Sequence, residues 1–137
     1  MGFVWQQKVL FKHCDPAGIV FYPRYFEMIN DCVEAFFANR LDWPFEKLHG
    51  AGAVPTVEIA TTFTSPSRHG DILDFDLRVT RLGNTSMSLG VEAACDGAPR
   101  LTTKSTLVNV GAGGKPTPWP DPVRARVRQI EEQQDGT

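Results

Sequence analysis

The run His13-Cys14-Asp15-Pro16-Ala17-Gly18-Ile19-Val20-Phe21-Tyr22-Pro23-Arg24-Tyr25-Phe26 decides how the rest of the chain is read. Pro16, Ala17 and Gly18 form a tight loop that carries one carboxylate, Asp15. Pro23 suits the first turn of a helix, where its missing N–H leaves no hydrogen bond unmade. Onward from the loop, Tyr22, Tyr25, Phe26, Ile29, Val33, Phe36 and Phe37 recur at three- and four-residue spacing. Arg24, Glu27, Asn30, Asp31 and Glu34 occupy the other face. This periodicity predicts a helix over residues 23–40. At ~1.5 Å per residue it is about 27 Å long, enough to cross a small domain, and its apolar stripe needs a sheet to cover it.

The sheet is written on both sides of the helix. Upstream, Phe3, Trp5, Val9 and Phe11 mostly alternate with polar residues over 3–12, as in a half-buried strand. Downstream, Val57, Ile59 and Phe63 alternate with Glu58 and Thr62. Leu73, Phe75, Leu77 and Val79 alternate with Asp74, Asp76, Arg78 and Thr80, a clean two-residue period. Thr85, Met87, Leu89, Val91 and Ala93 alternate with Ser86, Ser88, Gly90 and Glu92. Residues 101–110 read as a last strand whose alternation slips near Leu107-Val108, as at a bulge. Short Gly/Pro/Asn/Ser turns separate these segments. One strand, one long helix and four further strands make an antiparallel α+β meander with a single helix packed on one face.

From Gly111 the composition changes. Residues 111–120, rich in Gly and Pro, read as an extended segment over the surface, followed by a short helix from Asp121 or Pro122 to about Gln133. Val123, Val127 and Ile130 fall on one side of it; Arg124, Arg126 and Arg128 form a solvated face on the other. The last few residues are expected to be disordered. The 137 residues are read as one domain, with a core over 3–111 and a tail over 112–137.

A net charge of −2 spreads no basic field for nucleic acid or an anionic membrane, so any polyanionic ligand must be held by local groups. The start of the chain lacks a signal-peptide pattern, and no apolar run approaches the ~20 residues that cross a bilayer. Cys14, Cys32 and Cys95 are odd in number and lack Cys-x-x-Cys spacing, which argues against a disulfide framework or a zinc site and for a reducing cytoplasm.

The run over 13–26 resembles, almost residue for residue, the active-site loop of the 4-hydroxybenzoyl-CoA thioesterase family of hotdog-fold proteins. The helix-after-loop and four-strand pattern extends the resemblance over 3–111. The resemblance implies a curved antiparallel sheet wrapped around the helix. It implies protomers paired edge to edge as a homodimer, often with two dimers in a homotetramer. It also implies hydrolysis of an acyl-CoA thioester, with the catalytic carboxylate at Asp15 and the helix-start amides, including the Tyr22 N–H, polarising the carbonyl. No metal or redox cofactor is implied, and coenzyme A enters as part of the substrate.

The chemistry is coherent on its own terms. Negative charge develops on a thioester oxygen under attack, and N–H groups at a helix start stabilise it. A free Asp, with a pKa of about 3.9, is ionised at neutral pH and is a weak base. It can attack the carbonyl to give a mixed anhydride, or it can orient a water. The bland alternative is a turn-former or helix cap. Gly18 allows the turn that carries Asp15 toward the helix start. His13, two residues earlier on an extended segment, shares the Asp15 side and is a candidate for positioning substrate or tuning Asp15. The same alternation points Cys14 away, as a small apolar residue.

Asn30, two turns into the helix, is a candidate acyl-pocket residue or solvated surface. Phe21, Tyr25 and Phe26 could wall that pocket, although aromatics at helical spacing usually pack inward. Arg68, His69, Arg81, Arg100 and Lys104 are candidates for the coenzyme A phosphates. The aryl branch of the family matches the loop closely, which favours an aromatic acyl group over a short or medium aliphatic one. Two rival functions remain: a hotdog dehydratase or hydratase using His13 with Asp15, and a non-catalytic module that binds acyl thioesters or acyl-carrier proteins.

Overall fold

The computed structural model describes residues 2–50 and 52–135. Five strands form one antiparallel sheet: β1 (Phe3–Lys8), β2 (Thr56–Phe63), β3 (Ile72–Leu82), β4 (Ser86–Cys95) and β5 (Ala98–Val108). Their spatial order is β1-β3-β4-β5-β2, so β1 and β2 are the edges. One face buries Leu73, Phe75, Leu77 and Val79 of β3, Met87, Leu89, Val91 and Ala93 of β4, and Leu101 and Leu107 of β5. The helix α1 (Tyr22–Asn39) closes that face with Tyr25, Met28, Ile29, Cys32, Val33, Phe36 and Phe37. This is the hotdog arrangement, and α1 lies within a residue of the span its periodicity predicts. Tyr22, placed on the apolar stripe by spacing, is exposed.

Three departures have local causes. β1 ends at Lys8, because the pairing closes when the Val9 N–H donates to the Asp71 carbonyl and the Gly70 N–H to the Val9 carbonyl. Phe11–His13 then form one 3-10 turn, and Phe11 is 80% exposed rather than half-buried. β5 keeps its alternation from Leu101 to Val108: the inward positions between Leu101 and Leu107 are the buried hydroxyl residues Thr103 and Ser105, which disguise the apolar period. The irregularity sits across the ladder in β2, between Thr56 and Glu58. A short helix, α2 (Phe45–Leu48), covers the end of α1, with Phe45 packed 5.5 Å from Phe37.

The tail is more than a surface strap. A turn at 111–115 folds it back, and Trp119 then enters the core at 2% exposure, its indole N–H donating to the Ser86 carbonyl at 3.0 Å. The helix α3 (Asp121–Asp135) buries Val123, Val127 and Ile130. Gln134 donates to the Val79 carbonyl and accepts from the Val79 N–H. Arg124, expected on a solvated face, donates to the carbonyls of Gly83 and Asn84. The disorder expected for the final residues falls at 136–137, outside the described residues. No described helix is long and apolar enough to cross a membrane.

Candidate active site

A three-layer backbone ladder builds the site. The Asp15 N–H donates to the Ile19 carbonyl at 3.0 Å, and the Phe21 N–H to the His13 carbonyl at 2.9 Å. These two bonds pair Cys14 with Val20. The Gly18 N–H returns to the Asp15 carbonyl at 2.9 Å, a turn that holds Gly18 at φ 83°, where a side chain is strained. The second layer rests on a third: Ile19 pairs with Arg68, and the Val20 N–H donates to the Ser67 carbonyl at 2.9 Å. Asp15 is half-buried at the tip, where its Oδ1 accepts the Ala17 N–H at 2.9 Å and its carboxylate takes no other hydrogen bond among the described residues. The bland reading of Asp15 therefore holds for one oxygen, and the other is free.

The start of α1 has one usable donor among the described residues. Pro23 has no N–H, the Phe21 N–H is taken by His13, and the Arg24 N–H folds back on the Phe21 carbonyl at 2.8 Å. The Tyr22 N–H has no acceptor among the described residues, and no side chain caps the helix. The helix dipole adds to its pull on an anion.

His13 is not on an extended segment. The 3-10 turn breaks the alternation on which its pairing with Asp15 rested, and buries its ring. Its Nδ1 accepts the Leu10 N–H at 2.8 Å, and burial lowers its pKa below 6.5, so the ring is neutral and structurally engaged. Cys14 lies half-buried with its Sγ 3.8 Å from the Leu10 carbonyl. Burial pushes the Cys32 thiol up to about 12, which leaves it inert. All three cysteines are free, and among the described residues no three His, Cys, Asp or Glu side chains converge on one point.

Aromatic rings join α1 to the edge strand. Phe63 of β2, whose spacing shows only a strand position, lies 5.5 Å from Tyr25, 6.2 Å from Tyr22 and 6.3 Å from Phe26. Phe21 packs on Tyr22 at 5.6 Å. Tyr25 is buried among them, and its hydroxyl has no partner among the described residues. Farther along α1, a cavity of about 320 Å³ opens between the helix, β2 and β5. Phe26, Ile29, Val33 and Ile59 give it apolar walls, and Asn30, Thr56 and Ser105 give it polar ones. Asn30 is exposed, as the solvated alternative expects, and it also borders this cavity.

The cationic candidates scatter. Arg68 is exposed beside Ile19, and its side chain makes no ion pair among the described residues. His69 packs against Phe11 at 6.0 Å. Arg100 is committed inward, to Pro66, Ser67 and Asp71, and is not available to a phosphate. Arg81 is exposed near the far end of β3, ~30 Å along the strand from the Arg68 loop at ~3.3 Å per residue. Lys104 stands on the outer face of the sheet, where a hollow of about 510 Å³ is floored by Gly90 between Arg78 and Lys104.

A hotdog sheet with a loop carboxylate at the start of its helix defines the class of protein. The sequence profile of the thioesterase-like superfamily matches residues 9–127. The chain belongs to that superfamily, and with it to the thioester hydrolases. Its fold is similar to a 1,4-dihydroxy-2-naphthoyl-CoA thioesterase from Synechocystis, at TM-score 0.86 and 19% identity over 94% of this chain and 97% of the other. A gentisyl-coenzyme A thioesterase superposes at TM-score 0.84 and 25% identity, over 91% and 99% of the two chains. A thioesterase from Thermus thermophilus, solved with coenzyme A and Zn, superposes at TM-score 0.82 and 22% identity over 94% and 93%. None of the curated protein sequences matches the chain.

Proposed function

We propose that the protein hydrolyses an acyl-CoA thioester at Asp15, with a ring-hydroxylated aromatic acyl group in the cavity between α1, β2 and β5. The reading is carried by one observation: the loop holding a carboxylate oxygen free of hydrogen bonds is laddered directly onto the segment that leads to the free N–H of the helix start, that of Tyr22. The thioester oxygen accepts from Tyr22, and the charge that develops there is held by a fixed donor and the helix dipole. Asp15 then acts by one of two routes. In the first, its oxygen bonds the carbonyl carbon, the C–S bond breaks, the thiolate leaves, and water cleaves the anhydride to acid and regenerated carboxylate. In the second, it takes a proton from a water whose oxygen bonds the carbonyl carbon, the C–S bond breaks, and the thiolate leaves with the proton that Asp15 returns.

The cavity supports the acyl assignment, since its apolar walls suit a ring and Asn30, Thr56 and Ser105 suit a ring hydroxyl. Two structural relatives are named for hydroxylated aromatic acyl-CoA substrates. The free thiols suit a reducing cytoplasm. Val57, Ile59 and Phe63, exposed on the edge strand β2, suit a second copy paired there.

The test is thiol release from benzoyl, hydroxybenzoyl, phenylacetyl and aliphatic CoA thioesters by wild type and Asp15→Asn. Hydroxylated aryl thioesters should turn over fastest, and the variant should lose roughly a hundredfold or more. An acylated Asp15 peptide from a quenched single turnover selects the anhydride route. No thiol release from any substrate, or full activity in Asp15→Asn, refutes the reading.

A further inference from the structure

We infer that Arg100 of β5 is a positioning residue for the reactive loop, acting through Ser67 and Asp71 rather than by touching substrate; this rests on the reading of Asp15 as the reactive carboxylate. The side chain is 15% exposed and points into the 66–71 segment, which belongs to no helix or strand. Its Nη1 donates to three oxygens there: the Pro66 carbonyl at 2.8 Å, Ser67 Oγ at 3.1 Å and Asp71 Oδ2 at 3.0 Å. Asp71 closes the segment on itself, with Oδ2 accepting the Arg68 N–H at 2.9 Å and its own N–H donating to the Arg68 carbonyl at 3.0 Å.

The clamped residues are the ones that carry the site. Ser67, with no exposed surface, accepts the Val20 N–H on its carbonyl, and Arg68 pairs with Ile19. Ile19 accepts the Asp15 N–H. The order is therefore Asp15, then Ile19 and Val20, then Ser67 and Arg68, with the guanidinium behind the last layer. No bond in this series touches the carboxylate, so Arg100 sets where Asp15 stands and leaves its chemistry alone. A reacting group moved by about 1 Å can lose a hundredfold in rate.

The geometry also says which substitutes will serve. Arg100 works through one nitrogen: among the described residues its Nε is buried without an acceptor, and no carboxylate is gripped by both arms of the fork. Nη1 has two hydrogens for three acceptors, whereas a lysine ammonium has three donors. Arg100→Lys should keep the clamp, and Arg100→Met, similar in reach but uncharged, should lose it.

The experiment is steady-state hydrolysis of the best CoA thioester by wild type, Arg100→Lys, Arg100→Met, Asp71→Asn and Asp15→Asn, with melting temperatures in parallel. Arg100→Met should lower kcat about tenfold to a hundredfold with KM within about twofold, and Arg100→Lys should restore most of it. If Arg100→Met folds poorly, Asp71→Asn carries the test, and a kcat loss at unchanged KM is again expected. Unchanged kcat in a folded Arg100→Met or Asp71→Asn, with Asp15→Asn inactive, overturns the inference alone. A raised KM at constant kcat would put Arg100 on the substrate phosphates and also overturn it. Activity retained in Asp15→Asn would instead remove the reading on which it rests.

Discussion

Trp119 stands edge-on to Trp43, ring centroids 6.4 Å apart at 79°, and so locks the chain after the last strand onto the segment that follows α1. Its indole N–H is satisfied by the Ser86 carbonyl, so the burial carries no orphan donor. Trp119→Ala removes the ring, the edge-to-face contact and the bond together. A loss of about 3–5 kcal/mol in urea or guanidinium unfolding is expected, as for other buried aromatic truncations. A loss below ~1 kcal/mol would show that the tail is not integral to the core.

His13 should make stability fall in mild acid. Its folded pKa lies below 6.5 because burial disfavours the charged ring, so the unfolded chain binds the proton more readily. Stability is therefore full above pH 6.5, declines as pH falls toward the folded pKa, and levels off below it. Asp71, held below 3.8 chiefly by the Arg68 N–H, loses its own contribution only in stronger acid, as pH falls through its lowered pKa. Unfolding curves from pH 7.5 to 5 should show the first decline in wild type. His13→Asn, whose Oδ1 can accept the Leu10 N–H, should flatten it; an equal slope in both would remove His13 as the cause.

Gly18→Ala isolates backbone strain. An added Cβ would meet nothing within 4 Å, so the only penalty is the φ of 83°. That penalty is about 1–2 kcal/mol of stability, or a shift of the loop to relieve it. Because the same turn sets Asp15, kcat should fall severalfold while overall unfolding changes little more than that amount. Wild-type kcat in Gly18→Ala would mean the loop tolerates other geometries.

The edge strand makes a prediction about assembly. Among the described residues β2 pairs only with β5, and it leaves Ile59 and Phe63 each 42% exposed and Val57 60% exposed, an edge that ordinarily carries charge when it faces water. Light scattering should give a dimer or a multiple of one, and Ile59→Lys should shift it toward monomer. A wild-type monomer at micromolar concentration would remove the second copy from the proposal.

What could be read from residues was what one element decides by itself. The stripe from Tyr25 to Phe37 determines α1, because a helix that long survives only with that face buried. The alternation of β3 is equally plain from Leu73 to Thr80, where both faces keep their polarity up to the irregularity between Val79 and Arg81. Partnerships across the fold were less legible. Arg100 looked like a phosphate ligand because sequence shows its charge but not Asp71 beside it. His13 looked like a partner of Asp15 because one 3-10 turn, closed by its own Nδ1, cannot be told from strand in so short a run. Phe63 shows only period-two placement along β2, and the three rings around it come from α1.

Ser105 offers the sharpest test of the acyl pocket. It occupies an inward position of β5 that an apolar side chain would otherwise fill, is 6% exposed, and lines the cavity opposite Asn30 of α1. On the proposed reading, a hydroxyl kept there gives a ring substituent something to pair with, and removing it leaves that substituent without a partner in the cavity. Ser105→Ala should therefore lower kcat/KM for hydroxylated aryl thioesters by roughly tenfold, about 1.4 kcal/mol, while leaving benzoyl-CoA nearly unchanged. Asn30→Leu should act in the same direction, and the double variant should fall short of the sum, because both contact one substituent. Equal losses on benzoyl and hydroxybenzoyl substrates would place the acyl group elsewhere, or assign Ser105 to packing alone.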